Sequence, residues 1–324
     1  MDIGFVGSVR QQEITHPSWV TLEGCEGGES SLSLTYWLRA VRARFFISDV
    51  VNVATGLAMA WGLQRVFYPF LGLLTLIGIL LLRSSVNLLN DYFDHVKGID
   101  TNTVRTPFSG GSGVIQEGLL EPAKVYRAGV ALLLVSIAIG AYLTVERGLV
   151  VLLLLGAGAL AVYFYTTKVA QAGLSEVVLT VERALIIIGS FYVQVGVLLF
   201  VPVYVGFLTG ILFATVIFLS QFPDVEADAK GGRRGIVIRL GVRRASLLYS
   251  MYPAAALLMT LYGAISGFLP ALTLLSLASA PVFVILAIRA RRYASDRVRF
   301  IGVMANNSLV CTIVNLIFVA SFII

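Results

Sequence analysis

Residues 71–100 read LGLLTLIGILLLRSSVNLLNDYFDHVKGID, an apolar run that passes directly into a polar segment. The run belongs to an apolar stretch at 68–90, and a bilayer core requires about 20 such residues per helix. Four polar residues at its end recur at i, i+3, i+4 and i+7: Asn87, Asn90, Asp91 and Asp94. Residues at this spacing share one helix face, and Arg83 lies one turn earlier on the same stripe. The stretch therefore predicts a membrane helix with a carboxylate-bearing stripe at one end.

A second carboxylate pair follows another apolar run, in residues 221–234, which read QFPDVEADAKGGRR. Asp224 and Asp228 are four residues apart and share a helix face, whereas Glu226 points elsewhere. Cations follow both clusters: Lys97 and Arg105 after the first, and Lys230, Arg233 and Arg234 after the second. Two clusters of this kind favour a binding site over two solvated helix ends. The cations after the second cluster have an alternative role, which is to orient the protein in the membrane.

The composition places the chain among membrane proteins. Of its 324 residues, 58% are hydrophobic and 13% are charged, against about 45–50% and about 25% in soluble domains. These values, with a mean hydropathy of +0.89, exclude a soluble enzyme and a nucleic-acid-binding protein. Nine apolar runs approach membrane-spanning length: 46–65, 68–90, 125–145, 148–167, 174–196, 199–221, 245–266, 269–289 and 301–323. We therefore predict an all-α, polytopic membrane protein with nine transmembrane helices.

The placement of charge predicts how this bundle is oriented. With a cytoplasmic N-terminus, the inner segments contain 20 of the 24 Lys and Arg residues. Only Arg65 and Arg147 fall in outer hairpins, and two more arginines fall within helices. This asymmetry follows the positive-inside rule. We expect a loose polar tail at 1–37, with a short interfacial helix from about Leu34 to Arg44 as an alternative for its end, followed by one transmembrane domain at 38–324.

Any metal in this chain is expected to be held by oxygen ligands. Cys and His residues occur only at four positions: Cys25, Cys311, His16 and His95. So few nitrogen and sulfur ligands nearly exclude a His/Cys metal site. Two carboxylate stripes at the same membrane surface suit Mg²⁺, which one or two carboxylates commonly hold together with substrate phosphates. Carboxylates, a metal and flanking Lys or Arg are the groups that bind a diphosphate and stabilise its departure.

The two motifs resemble those of the UbiA superfamily of intramembrane prenyltransferases. The sequence NLLNDYFDHVKGID, at 87–100, is similar to the first Asp-rich motif of that family. The sequence DVEAD at 224–228, followed by GGRRGIVIRLG at 231–241, is similar to the second. Three further segments resemble family segments: 38–46, 165–168 and 189–196. The chain is most similar to the branch that prenylates 1,4-dihydroxy-2-naphthoate in menaquinone synthesis.

This resemblance implies nine helices around a central cavity that opens laterally to lipid in the cell membrane. It implies Mg²⁺-dependent transfer of a polyprenyl group from a polyprenyl diphosphate to an aromatic quinone precursor. The implied catalytic metal ligands are Asp91, Asp94, Asp224 and Asp228, with Asn87 as a further ligand. The implied substrate-binding residues are Asn87, Asn90, Lys97, Arg105, Lys168, Tyr165, Lys230 and Arg83. Tyr92, Tyr163 or Tyr165 would shield an allylic carbocation from water; the alternative role of these tyrosines is to anchor the chain at the membrane surface.

Two alternative functions stay open at this point. A membrane transporter also carries ionisable groups and internal repeats, but its charges are expected near the bilayer midplane. A second alternative keeps the family and changes the acceptor to geranylgeranylglyceryl phosphate, haem, chlorophyll or 4-hydroxybenzoate. Glu182 and Arg183 bear on this choice because they stand where the naphthoate branch usually has small or apolar residues. The two are either functional or a buried structural pair.

Overall fold

The computed structural model describes residues 29–98, 111–164, 175–230 and 234–324, and all regular structure in these ranges is helical. The helices are α1 (Glu29–Ala40), α2 (Phe46–Gln64), α3 (Pro69–Val96), α4 (Pro122–Arg147), α5 (Leu149–Phe164), α6 (Ser175–Val195), α7 (Phe200–Lys230), α8 (Ile236–Leu240), α9 (Val242–Leu248), α10 (Met251–Ile265), α11 (Ala280–Arg292) and α12 (Arg297–Ile323). Two 3₁₀-helices, Ala43–Phe45 and Ala271–Ser279, precede α2 and α11. The predicted all-α class is confirmed for these ranges.

Seven segments of the described chain are long and apolar enough to cross a membrane: Ala43–Gln64, Pro69–Val96, Pro122–Arg147, Phe200–Pro223, Val242–Ile265, Ala271–Arg292 and Arg297–Ile323. They correspond to seven of the nine predicted runs and make the chain a multi-pass membrane protein. The other two runs correspond to α5 and α6. The apolar part of α5, Leu149–Leu160, is shorter, and α6 carries Glu176, Glu182 and Arg183. The count of nine therefore stays a prediction.

The first described helix, α1, begins at Glu29, inside the segment predicted to be a loose tail. It leads through the 3₁₀-helix into α2, so the chain is already helical before the first candidate span. The domain boundary at 37/38 and the cytoplasmic N-terminus stay predictions.

Proline, glycine and a capping aspartate mark several helix ends. Pro69 and Pro122 occupy the first turns of α3 and α4, where a missing N–H would have had no partner within the helix. Gly148, at φ 90°, separates α4 from α5. Asp296 precedes α12 and accepts a hydrogen bond of 3.1 Å from the N–H of Arg299, which satisfies one of the free donors of that helix.

The helices pack around α2, α6, α7 and α12, which share most of the buried apolar core. Helix α2 lies against α6 and α12, α3 packs against α4, and α7 packs against α6 and α10. The α2–α6 contact depends on Gly56, because a Cβ there would lie 2.6 Å from the Cβ of Ser190 and 2.7 Å from the carbonyl oxygen of Ile187. Small residues allow helix backbones to approach closely within membranes.

Helix α1 and the segment 111–120 cover the end of α3 that carries the first Asp motif. Buried apolar side chains join these three pieces to one another and to α4: Ala40, Leu88, Val114, Ile115 and Val125. Arg39 of α1 forms two hydrogen bonds, 2.8 and 2.6 Å long, to the carboxylate of Glu117. Its Nε also donates to the carbonyl oxygen of Ser112 at 2.9 Å. This packing holds Ser112 beside Asp91.

Candidate active site

Asp91 is the buried centre of the first motif, with only 3% of its surface exposed. Its Oδ1 accepts a hydrogen bond of 2.6 Å from Nη2 of Arg42 and one of 3.5 Å from the backbone N–H of Ser112. Its Oδ2 accepts from the hydroxyl of Ser112. Hydrogen bonds to an ionised carboxylate are stronger than those between neutral groups. Asp91 is therefore held in a fixed orientation by two segments that are distant in sequence.

Arg42 reaches Asp91 from a turn with unusual backbone geometry. The residue has φ 56° and ψ 47°, which is the left-handed region that few non-glycine residues adopt. Asn87, one turn before Asp91 on α3, donates from Nδ2 to the carbonyl oxygen of Val41 at 2.9 Å. Two residues of the motif thus hold the same turn: Asn87 binds the backbone of Val41, and Asp91 binds the side chain of Arg42.

Arg42 and Ser112, the partners of Asp91, were not among the predicted site residues. Arg42 lies within 38–46, and the family resemblance of that segment was the one available signal. Nothing in the sequence distinguished Ser112, because its contact with Asp91 spans 21 residues.

The predicted shared face of α3 is confirmed for Arg83, Asn87 and Asp91. These residues are spaced at i, i+4 and i+8, and all three bind residues between Val41 and Asp49. The other residues predicted on this part of the chain are less enclosed. Asp94 and Asn90 are half-buried, and Lys97 is exposed directly after α3.

Arg83 belongs to a cluster of four charged side chains contributed by α2, α3 and α6. Its Nε and Nη2 each lie 3.1 Å from a carboxylate oxygen of Asp49, and Nη2 lies 2.5 Å from Oε1 of Glu182. Arg183 completes the cluster by donating to Asp49. Arg83 precedes Asp91 by two helical turns, which places the cluster about 12 Å along α3 from the motif.

The cluster answers the question left by Glu182 and Arg183, since the structure places both in a buried ion-pair network. Asp49 is fully buried and Arg183 is 4% exposed. Arg183 also stacks on Phe213, with its Cζ 3.8 Å from the ring centroid. No local sequence pattern connects Asp49 with its partners, because they lie 34 and 134 residues away.

A narrow cavity lies beside this cluster, between α2, α7 and α12. Its lining includes Ser48, which precedes Asp49, and Phe213, on which Arg183 stacks. It also includes Asn315, which is 8% exposed and whose Oδ1 has no hydrogen-bond partner among the described residues. A polar-lined space therefore exists inside the bundle. The lipid-open central cavity of the sequence analysis stays a prediction.

The second Asp motif continues α7 without a break as far as Lys230, so Asp224 and Asp228 share a helix face as predicted. The side chains of these three residues lie outside the described part of the structure. The end of α7 is fixed by its neighbours. Arg297 of α12 donates to the carbonyl oxygen of Pro223 at 2.6 Å, and Gln221 donates to the buried Glu176 of α6 at 2.6 Å.

Three further predicted residues, Arg105, Tyr165 and Lys168, lie outside the described residues. Among the side chains that the structure does describe, no three His, Cys, Asp or Glu residues come together as a metal site. In the first motif, the carboxylate of Asp91 is hydrogen-bonded and held in one orientation. For Asp224 and Asp228 of the second motif, the structure describes only the helical backbone.

The model of the UbiA prenyltransferase family matches residues 50–309, a range that includes both Asp motifs and three members of the four-charge cluster, and that begins one residue after Asp49. The chain belongs to the UbiA prenyltransferase family. This UbiA-family protein is therefore a prenyltransferase, as its motifs predicted.

Two relatives of the UbiA-family chain have names that specify a naphthalene-type acceptor. It is 29% identical over 225 residues to the 1,4-dihydroxy-2-naphthoate octaprenyltransferase of Escherichia coli, covering 66% of this chain and 71% of that protein. It is 26% identical over 251 residues to the 2-carboxy-1,4-naphthoquinone phytyltransferase of Synechocystis, covering 76% and 79%. The similarity supports the predicted menaquinone-type branch.

Three solved structures share the fold of this UbiA-family chain. A UbiA homolog from Archaeoglobus fulgidus bound to GPP and Mg²⁺ matches with a TM-score of 0.58 and 14% identity, over 89% of this chain and all of that one. An apo UbiA homolog from Aeropyrum pernix matches with a TM-score of 0.62 and 17% identity, over 86% of this chain and 97% of that one. A digeranylgeranylglyceryl phosphate synthase matches with a TM-score of 0.61 and 16% identity, over 90% of this chain and 99% of that one. At these identities the likeness establishes the fold alone.

Proposed function

We propose that this enzyme transfers a polyprenyl group from a polyprenyl diphosphate to 1,4-dihydroxy-2-naphthoate or a closely related quinone precursor, in an Mg²⁺-dependent reaction. The observation that carries the proposal is the buried, oriented carboxylate of Asp91 within the first Asp motif. The naphthoate prenyltransferases among its relatives support this acceptor class.

The donor set of the first motif fits Mg²⁺, which prefers oxygen ligands. Asp91 and Asp94 offer carboxylates. The amide nitrogen of Asn87 is used on Val41, which leaves its Oδ1 as an acceptor oxygen. Asp224 and Asp228 are the proposed ligands from the second motif. Bound Mg²⁺ would neutralise the negative charge that develops on the departing diphosphate.

Cationic side chains of the chain are proposed to bind the diphosphate oxygens. Arg42 is suited to this task because a guanidinium carries five N–H donors and its bond to Asp91 uses Nη2. The other candidates are those that the sequence indicated: Lys97, Arg105, Lys168 and Lys230. Asn90, on the same face of α3, is proposed to assist these cations in binding the diphosphate.

The transfer itself is proposed to proceed through an allylic carbocation. The C–O bond of the prenyl diphosphate breaks, and the diphosphate leaves with the electron pair. Tyr165 shields the cation, and the electron-rich ring of the acceptor attacks it to form a C–C bond. Aromaticity is restored by loss of a proton from the attacked ring carbon; for a naphthoate acceptor the carboxylate also leaves as CO₂, and a proton replaces it on the ring. Arg83 is the candidate for contact with the acceptor, because it lies on the same face of α3, about 12 Å from Asp91.

The membrane arrangement is part of the proposal. We infer nine helices, with α5 and α6 joining the seven apolar spans, around a central cavity that opens to lipid. The cytoplasmic N-terminus is supported by the excess of Lys and Arg on that side. In this orientation both Asp motifs face the cytoplasm, where soluble Mg²⁺ is available.

The test is an assay of the purified protein in lipid with labelled geranylgeranyl diphosphate. Acceptors are offered singly: 1,4-dihydroxy-2-naphthoate, 4-hydroxybenzoate, geranylgeranylglyceryl phosphate, and haem and chlorophyll precursors. We expect a prenylated naphthoate product that forms with Mg²⁺ and disappears with EDTA. Preferential formation of another product would move the protein to a different acceptor class. Product formation at an unchanged rate in EDTA would contradict the metal assignment.

A transporter is less well supported than an enzyme. Charges do lie within the spans, but Asp49, Arg83, Glu182 and Arg183 bind one another. Uptake of substrate into protein-containing vesicles without Mg²⁺ and without product would favour the transporter.

A further inference from the structure

A cavity of about 420 Å³ lies between the beginning of α3 and the end of α4. It is far from the Asp motif, since 22 residues of one helix separate Pro69 from Asp91. At 1.5 Å per residue this distance is about 33 Å, which is close to the thickness of a bilayer core. The cavity and the Asp motif therefore lie at opposite membrane surfaces, and the proposed prenyl transfer does not use the cavity.

The walls of this cavity are fixed by buried side chains of α6. Gln194 is fully buried; its Oε1 accepts from the N–H of Tyr68 at 2.6 Å, and its Nε2 donates to the carbonyl oxygen of Tyr68 at 3.3 Å. On the opposite wall, the hydroxyl of Tyr192 donates to the carbonyl oxygen of Arg147 at 3.2 Å. Ligand sites are usually formed in advance in this way.

One cation and one carboxylate line the cavity side by side. The guanidinium of Arg147 lies 4.5 Å from the centroid of the Tyr68 ring. Its Nε is shielded from solvent and has no hydrogen-bond partner among the described residues. Glu146 and Tyr142 line the same cavity. The first turn of α3 also contributes the N–H groups of Phe70 and Leu71, which have no partner within the helix, whereas Pro69 has no N–H.

The aromatic lining indicates the depth of the cavity in the membrane. Phe70 and Tyr142 are 60% and 42% exposed, and their rings meet edge to face with centroids 6.3 Å apart. Exposed aromatic side chains at helix ends mark the level of the lipid headgroups. A ligand at this level would extend its chains along exposed apolar residues of α3 such as Leu73.

We propose that this cavity binds the headgroup of a membrane phospholipid that carries both a phosphate and a primary ammonium, as phosphoethanolamine does. The phosphate lies on Arg147 and the first turn of α3. The ammonium lies on Glu146, beside the faces of the Phe70 and Tyr142 rings. A headgroup with a phosphate and no ammonium would place further negative charge beside Glu146 and is expected to bind less well.

The test measures lipid binding to the full-length, delipidated protein by native mass spectrometry. Phosphatidylethanolamine, phosphatidylglycerol and phosphatidylcholine are titrated separately, together with free phosphoethanolamine. We expect phosphatidylethanolamine to bind most tightly, and free phosphoethanolamine to bind weakly because it lacks the chains. Equal or tighter binding of phosphatidylglycerol by the wild-type protein would overturn the proposal.

Variants separate this site from general lipid binding. Arg147→Gln is expected to weaken phosphatidylethanolamine binding roughly tenfold, and Arg147→Lys to weaken it less. Glu146→Gln is expected to abolish the preference for phosphatidylethanolamine over phosphatidylglycerol. The control is Arg65→Gln, which removes an exposed arginine from the same membrane surface, where it stacks on Trp61. Wild-type binding by Arg147→Gln, or an equal loss in Arg65→Gln, would overturn the proposal.

A further variant separates this proposal from the proposed catalytic function. Asp91→Asn is expected to lose prenyl transfer and to bind phosphatidylethanolamine as the wild type does. Lipid binding that fell together with activity in this variant would mean that the two surfaces are not independent, and would contradict the proposal.

Discussion

Arg42 donates a 2.6 Å hydrogen bond to Asp91, although the two residues lie 49 positions apart. The arginine comes from the turn that follows α1, and the aspartate comes from a buried position near the end of α3. The guanidinium therefore stands at the carboxylate that the proposed function assigns to Mg²⁺. Arginine and metal would compete for the same oxygen, and this competition makes the Mg²⁺ requirement sensitive to Arg42.

Replacing Arg42 by glycine is expected to lower the Mg²⁺ concentration for half-maximal activity several-fold, because one competing cation is removed, and to raise the prenyl diphosphate concentration needed for saturation, because a proposed diphosphate ligand is lost. Glycine adopts the left-handed backbone of this turn without strain. The measurement is product formation against Mg²⁺ concentration at saturating prenyl diphosphate. Arg65→Gly is the matched control, since Arg65 is the other non-glycine residue with positive φ in the described chain, at 54°. An increased Mg²⁺ requirement in Arg42→Gly would contradict the competition.

Asp91→Asn is expected to reduce prenyl transfer by more than about 100-fold, because a ligand charge is lost from a site that binds a metal and a diphosphate. Folding and membrane insertion are expected to be retained, since asparagine has nearly the same shape. Turnover of labelled prenyl diphosphate and the melting temperature are measured together. The control is Glu121→Gln, which removes an exposed carboxylate that pairs with Lys124. Wild-type turnover by Asp91→Asn would show that the metal site lies elsewhere.

Asp49→Asn is expected to destabilise the protein by about 3–5 kcal/mol, because it leaves Arg83 and Arg183 with one carboxylate between them in a buried site. The measurement is the free energy of unfolding in mixed micelles. Lys124→Gln breaks an exposed ion pair and is expected to change stability by less than about 1 kcal/mol. Adding Arg183→Gln to Asp49→Asn should recover part of the loss. Simple addition of the two single effects would argue against direct coupling.

Gly56→Ala is expected to destabilise the α2–α6 contact by about 1–3 kcal/mol, because its methyl group would overlap with Ser190 and the backbone of Ile187. Gly189→Ala in α6 is the control, since no atom lies within 4 Å of a Cβ at that position. That second change should stabilise its helix by up to about 1 kcal/mol. Thermal unfolding of both variants checks the prediction. Equal stability of the two variants would mean that the helices are less closely packed than described.

Helical periodicity is the part of this fold that a sequence determines locally. The spacing of Arg83, Asn87 and Asp91 predicts a shared face because the period of a helix does not depend on its neighbours, and the contacts of all three residues confirm it. The apolar runs likewise predict the seven spans, because length and hydropathy are properties of single segments.

The partners of these residues could not be predicted in the same way. Asp49 binds arginines from two other helices, and no local pattern says which helices meet or in which register. Ser112 reaches Asp91 only because Arg39 and an apolar cluster hold its segment over α3. Contacts of this kind depend on the whole packing arrangement. For the same reason, the sequence offered no sign of the cavity between Tyr68 and Arg147.

The four charges of Asp49, Arg83, Glu182 and Arg183 sum to zero when all are ionised. A single charge moved across an energised membrane gains or loses about 2.3 kcal/mol per 100 mV, whereas a compact neutral group experiences almost no net force. A transmembrane voltage therefore exerts almost no net force on this cluster, although the cluster lies inside the membrane spans. Turnover is expected to be the same in energised and de-energised vesicles.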